Sequence, residues 1–96
     1  MAKEEIIQTL TSIKEEARQK YKAEIKGIFG SYARGEENQD SDLDVLVEFL
    51  EKATLFDLVG LGDFLEEKLN CKVDIVSRRT IREEIKPNIY NDLVQL

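Results

Sequence analysis

The run from Asp42 to Phe49, DLDVLVEF, alternates with the period of a β-strand. Leu43, Val45, Val47 and Phe49 fall on one face, and Asp42, Asp44, Leu46 and Glu48 on the other. A strand of this pattern carries two carboxylates at i and i+2 out of the same face, about 6.5–7 Å apart at Cα. Upstream, the β-prone run Ile25 to Phe29 ends at Gly30-Ser31, and ten residues separate Ser31 from Asp42. Any fold for this chain must therefore set a glycine turn and a pair of acids at the edge of one sheet.

What the chain lacks narrows its chemistry. It has 96 residues, enough for one small core and one domain over residues 1–96. It has no histidine and a single cysteine, Cys71. The usual zinc ligand sets and the Ser-His and Cys-His nucleophile pairs are therefore excluded. Catalysis would have to run on carboxylates, hydroxyls, Lys, Arg and a hard cation such as Mg²⁺. One cysteine forms no internal disulfide, which makes a reducing cytoplasm the default. No apolar run approaches a membrane span and no signal-peptide pattern opens the chain. A net charge of −6 opposes direct binding to nucleic-acid backbones.

Ile6, Leu10, Ile13, Ala17 and Tyr21 recur at helical spacing and predict an amphipathic first helix. The first strand follows over Ile25 to Phe29, and the second over Leu43 to Phe49. Thr54 and Asp57 resemble a capping box opening a helix from Leu55 to Leu69, with Asn70 at its end. Lys72 to Val76 is a third strand. Thr80 and Glu83 make a second capping-box pair, opening a helix that must kink or stop near Pro87. Ile89, Leu93 and Leu96 suggest a short helix or an extended tail. The expectation is a mixed α/β (α+β) domain: a three-stranded mixed sheet, helices packed mainly on one face, and the acids on the other.

On that other face Asp74, flanked by Val73 and Ile75, would join Asp42 and Asp44 if the second and third strands are neighbours. Three carboxylates so close repel, and each raises its neighbours' pKa unless a cation neutralises them. A pair of Mg²⁺ ions roughly 3.5–4 Å apart would do so and would clamp a phosphoryl displacement. Gly30 permits a tight turn that brings backbone N–H groups close to a polyphosphate. Ser31 adds a hydroxyl, and Arg34 a charge able to reach phosphate. Taken singly, each has a plainer reading: a turn glycine, a solvated acid, a surface ion pair at Arg34. Tyr32 is either scaffold or a neighbour of the base. Arg78, Arg79 and Arg82 form a small basic patch that suits a helix entry at least as well as a ligand.

The ordered set Gly30-Ser31, Asp42-Leu43-Asp44-Val45 and Val73-Asp74-Ile75 resembles the nucleotidyltransferase superfamily that includes DNA polymerase β. The fuller strings Gly30-Ser31-Tyr32-Ala33-Arg34-Gly35 and Ser41-Asp42-Leu43-Asp44 are similar to its minimal branch (MNT), the MntA-like antitoxins found beside HEPN-domain partners. The resemblance implies ATP as substrate and two Mg²⁺ ions held by Asp42, Asp44 and Asp74. It assigns Gly30 and Ser31 to the nucleotide's β- and γ-phosphates, and implies AMP transfer to a tyrosine of a HEPN toxin. Other readings are a stoichiometric toxin binder with an idle nucleotide site, and a small-molecule nucleotidyltransferase. The helix Leu55 to Leu69 is apolar around more than one face. That surplus suits a homodimer or toxin contact, unless Gly60 and Gly62 mark tight helix packing.

Overall fold

The computed structural model describes all residues from Met1 to Leu96. Helix α1, Lys3–Tyr21, buries Ile6, Leu10, Ile13 and Ala17, the stripe its spacing predicts. It ends at Lys22, which turns left-handed (φ 54°) and donates its N–H to the Arg18 carbonyl. Strand β1, Ala23–Phe29, leads into α2, a single helical turn over Gly30–Arg34. Strand β2 is Leu43–Phe49. Helix α3 spans Leu55–Leu69, within the bounds its caps predict. The Asp57 carboxylate accepts the Thr54 N–H at 2.8 Å, and Asn70 (φ 56°) ends the helix left-handed. Strand β3 is Val73–Ser77, followed by a 3₁₀ turn at Arg78–Thr80.

The sheet has four strands, not three, in the order β3-β2-β1-β4. The additional strand, β4 (Val94–Gln95), pairs antiparallel with Gly27 and Ile28. Two residues are too few to show alternation, so nothing in the sequence marks them as a strand. Gly27 makes the pairing possible: a Cβ there would collide with the Val94 carbonyl oxygen and lie 3.1 Å from the Gln95 Cα. β1 and β2 are antiparallel, with a register shift between Ile25 and Gly27, and β2 and β3 are parallel.

The final helix also differs from the sequence expectation. Helix α4 begins at Lys86 and runs to Asp92, so Pro87 sits in its first turn rather than near its end. A first-turn proline has no N–H to lose and its φ already suits the helix. Thr80 caps no helix; its hydroxyl donates to the Ser77 carbonyl.

α1 and α3 cover one face of the sheet. There Leu43, Val45 and Val47 pack with Ile25, Ile28, Leu61, Phe64 and Leu65 in a single core. The Tyr21 and Phe64 rings meet with centroids 5.3 Å apart, joining the two helices. Gly60 marks close packing, since a Cβ there would come within 2.7 Å of the Tyr21 ring; beside Gly62 there is ordinary room. The opposite face is divided. Its middle is covered by α4 and the segment before it, where Leu46, Ile81 and Ile89 are buried with Phe29, Val76 and Leu93 packed against them. Its end at Asp44 and Asp74 is open.

Leu46 holds this second cluster together and is 1% exposed. Leu46→Ala is expected to cost about 2–5 kcal/mol in urea unfolding, as deletion of a buried leucine side chain does. Phe56→Ala, at a side chain 89% exposed, is expected to stay within about 0.5 kcal/mol.

Candidate active site

Parallel pairing of β2 and β3 sets Asp44 directly opposite Asp74 in register. Neighbouring strands lie about 4.8 Å apart, so the two carboxyl groups leave the same face side by side. Across the other edge of β2, Asp44 pairs with Phe29, the residue before the glycine turn. Gly30 follows with φ +75°, in the left-handed region. Any Cβ at Gly30 would collide with Oδ2 of Asp44 and stand 3.2 Å from its Cγ. Conformation and space both demand glycine here, and they bring the turn of α2 against the carboxylate.

Asp44 is half-buried, whereas Asp42 and Asp74 are exposed. Burial first, then the negative charges of Asp74 and Asp42, push the Asp44 carboxyl up to about 6; Arg34 opposes them through its positive charge. Asp42 lies one residue ahead of β2, outside the ladder, and acts on Asp44 through its charge alone. Of the three acids expected to converge, the structure brings Asp44 and Asp74 into register and leaves Asp42 outside the pair. No three side chains converge tightly enough in this conformation to form a ready ligand set.

The chemistry of the donors nonetheless fits a hard divalent cation. All are carboxylate oxygens, the ligands such a cation prefers, and two of them stand in register on adjacent strands. Asp42, Asp44 and Asp74 are the residues that would hold it.

Arg34 closes α2 and is held twice. Its Nε donates to Oε1 of Glu36 at 2.7 Å and its Nη1 to Oδ2 of Asp92 at 2.6 Å. Asp92 was not legible as a site neighbour, because 58 residues separate it from Arg34 and no local pattern marks the pairing. Tyr32 is scaffold: it packs against the helix-facing core, as does Cys71. Burial is the main cause raising both groups' pKa. Arg78 of the basic patch pairs with Glu48 at 3.3 Å, at the far end of the sheet from Asp74. Surface cavities of about 320–430 Å³ are lined by other residues. With Asp42 and Asp74 exposed and Asp44 half-buried, the carboxylates form an open ledge.

A glycine turn packed on one of two register-paired aspartates defines a class. The profile of the family described as nucleotidyltransferase domain matches residues 10–95, and the chain belongs to that family. Protein adenylyltransferase MntA of Thermococcus cleftensis is 37% identical over 91 residues, covering 95% of this chain and 92% of the relative. A Methanocaldococcus jannaschii protein assigned the same activity is 37% identical over 93 residues, covering 96% and 95%. A solved structure of a chain taken for a minimal nucleotidyltransferase superposes with TM-score 0.83 at 34% identity, covering 100% of this chain and 97% of that one. The fold also matches a toxin–antitoxin crystal structure with AMP-PNP (TM-score 0.69, 22% identity, 99% and 72% covered). Within the family the chain is a minimal, MntA-like nucleotidyltransferase.

The raised Asp44 pKa has a sign that can be measured. The folded chain holds this proton more tightly than the unfolded chain, so the stability it lends is complete below pH 3.8. That stability is lost as pH rises through about 6. In metal-free protein, Asp44→Asn is expected to match the unaltered chain near pH 4 and to exceed it in thermal midpoint at pH 7. Equal midpoints at both pH values would count against the burial argument.

Proposed function

We propose that this chain is the antitoxin of a HEPN/MNT pair and transfers AMP from ATP to a tyrosine hydroxyl of its HEPN toxin in the cytoplasm. Residues 1–96 would work as one catalytic domain. The observation that carries the reading is the register pair Asp44–Asp74 lying against the Gly30 turn. Support comes from the relatives named protein adenylyltransferase. It comes also from the fold shared with a Shewanella oneidensis complex of MNT antitoxin and tri-AMPylated HEPN toxin, at TM-score 0.64 and 18% identity.

In this mechanism Gly30 and Ser31 hold the β- and γ-phosphates at the turn, with Arg34 beside them. Asp42 and Asp44 face the triphosphate, and Asp74 takes the proton of the acceptor hydroxyl. The hydroxyl oxygen bonds to the α-phosphorus as the bond to the β-phosphate oxygen breaks. AMP stays on the acceptor and pyrophosphate leaves. Two Mg²⁺ ions on Asp42, Asp44 and Asp74, when bound, would supply the charge neutralisation that three carboxylates and a triphosphate require.

The open ledge favours a macromolecular acceptor over a small molecule, which would need an enclosing pocket. On α3, Leu55, Phe56 and Val59 are 73%, 89% and 56% exposed. This apolar face is the contact we assign to the toxin, so that binding and catalysis contribute together.

Intact mass of the HEPN partner after incubation with this chain, ATP and Mg²⁺ tests the reaction. Gain in whole AMP units is expected, and none with Asp42→Ala/Asp44→Ala. A complex of unchanged mass would leave stoichiometric binding as the function. Phe56→Glu is expected to weaken that complex about tenfold or more while nucleotide affinity stays unaltered. Titration by calorimetry separates the two.

A further inference from the structure

We propose that Asp92 is a positioning residue for nucleotide binding, fixing the Arg34 guanidinium so that its free nitrogen faces the triphosphate. The inference rests on the nucleotide site described above and extends it to α4.

Four observations carry it. First, Arg34 is held by two carboxylates at charge-assisted distances, 2.7 Å to Glu36 and 2.6 Å to Asp92. Second, these pairs use Nε and Nη1, and neither uses Nη2. A planar guanidinium pinned at two nitrogens has its third pointing in a set direction. Third, the anchor is itself rigid. Ile89 is buried and Leu93 packs on the same cluster with Leu46 and Phe29, and Asp92 lies between them at the end of α4. Phe29 is the residue before the Gly30 turn, so α4 grips the strand that delivers the turn and the arginine that closes it. Fourth, Arg34 closes the single turn α2 that Gly30 opens against the Asp44 carboxylate.

Glu36 is a weaker anchor than Asp92. It sits two residues from Arg34 in the exposed loop after α2, and its side chain is 61% exposed against 25% for Asp92. Of the two, Asp92 is the one whose position the fold fixes. A long side chain ordered beforehand gives up less freedom when phosphate arrives. Loss of the anchor should therefore appear in nucleotide affinity.

The test is the dissociation constant of a non-hydrolysable ATP analogue with Mg²⁺, measured on the full chain. Four forms are compared: unaltered, Asp92→Asn, Arg34→Ala, and both together. Asp92→Asn is expected to weaken binding about 3–10-fold, the worth of ordering one long side chain. Asp92→Glu, which keeps the carboxylate, is expected to recover most of the loss. On the Arg34→Ala background Asp92→Asn should add nothing, because it acts through Arg34. In transfer assays KM for ATP should rise more than kcat falls.

Equal affinity of Asp92→Asn and the unaltered chain overturns the inference, and so does tighter binding, which would make Asp92 a competitor of phosphate. A penalty of equal size on the Arg34→Ala background also overturns it, since Asp92 would then act by holding α4 in place. Failure of the unaltered chain to bind the analogue overturns the nucleotide site itself, which is a different result from equal binding by the variant.

Discussion

Asp44 beside Asp74 is the contact on which the rest of the molecule turns. Two carboxyl groups in register on adjacent parallel strands repel, and the half-burial of one makes its charge costlier still. The chain holds them there because the opposite faces of the same strands bury Leu43, Val45 and Val47 in the helix-covered core. Strand pairing cannot slip by one residue to relieve the acids without turning those side chains toward water. Packing of the core thus sets the geometry of the site, and the site returns a cost in stability. Under the proposed function, such a cost is what a site awaiting a cation would carry in its unliganded state.

The two faces of the sheet serve different ends. α1 and α3 supply the main core, while α4 covers only the middle of the other face through Leu46, Ile81 and Ile89. That partial cover has two effects. It leaves the carboxylate end open, and through Asp92 it ties α4 to Arg34 at the close of the Gly30 turn. At the opposite end Glu24, Lys26, Glu48 and Arg78 form a chain of ion pairs between 3.1 and 3.6 Å. These pairs are about a third exposed or more, so each is worth little, and they leave the far end of the face polar but self-satisfied.

Legibility in the sequence followed the range of each interaction. The bounds of α3 were readable because Thr54, Asp57 and Asn70 act within one turn of the helix they cap. β2 was readable because its alternation is the fold's own period, and the same alternation put Asp44 and Asp74 on one face. β4 was not, since two residues show no period and the glycine that admits them lies 67 positions upstream at Gly27. α4 was misplaced because Thr80 and Glu83 imitate a capping box, while Ile81 is instead drawn onto Leu46 and holds its segment out of helix. Pro87 then reads as a stop when it is a start. Arg34 was visible as a charge just after the Gly30-Ser31 turn; its partner Asp92 was not, because only the tertiary fold brings the two together.

An open ledge has a consequence for how such a site works. A nucleotide bound at Gly30 would be walled on one side by the sheet and α2, and on the other by nothing belonging to this chain. Water would then compete with any acceptor hydroxyl, and electrostatic interactions across the ledge would be screened. Under the proposed function, the protein acceptor would supply that wall, covering the carboxylates as it presents its hydroxyl. The exposed apolar side chains of α3 offer such a partner a grip distinct from the chemistry, so affinity for the acceptor and turnover at Asp44–Asp74 can be set by different residues. Under the proposed function, the toxin would complete the active site as it presents its hydroxyl.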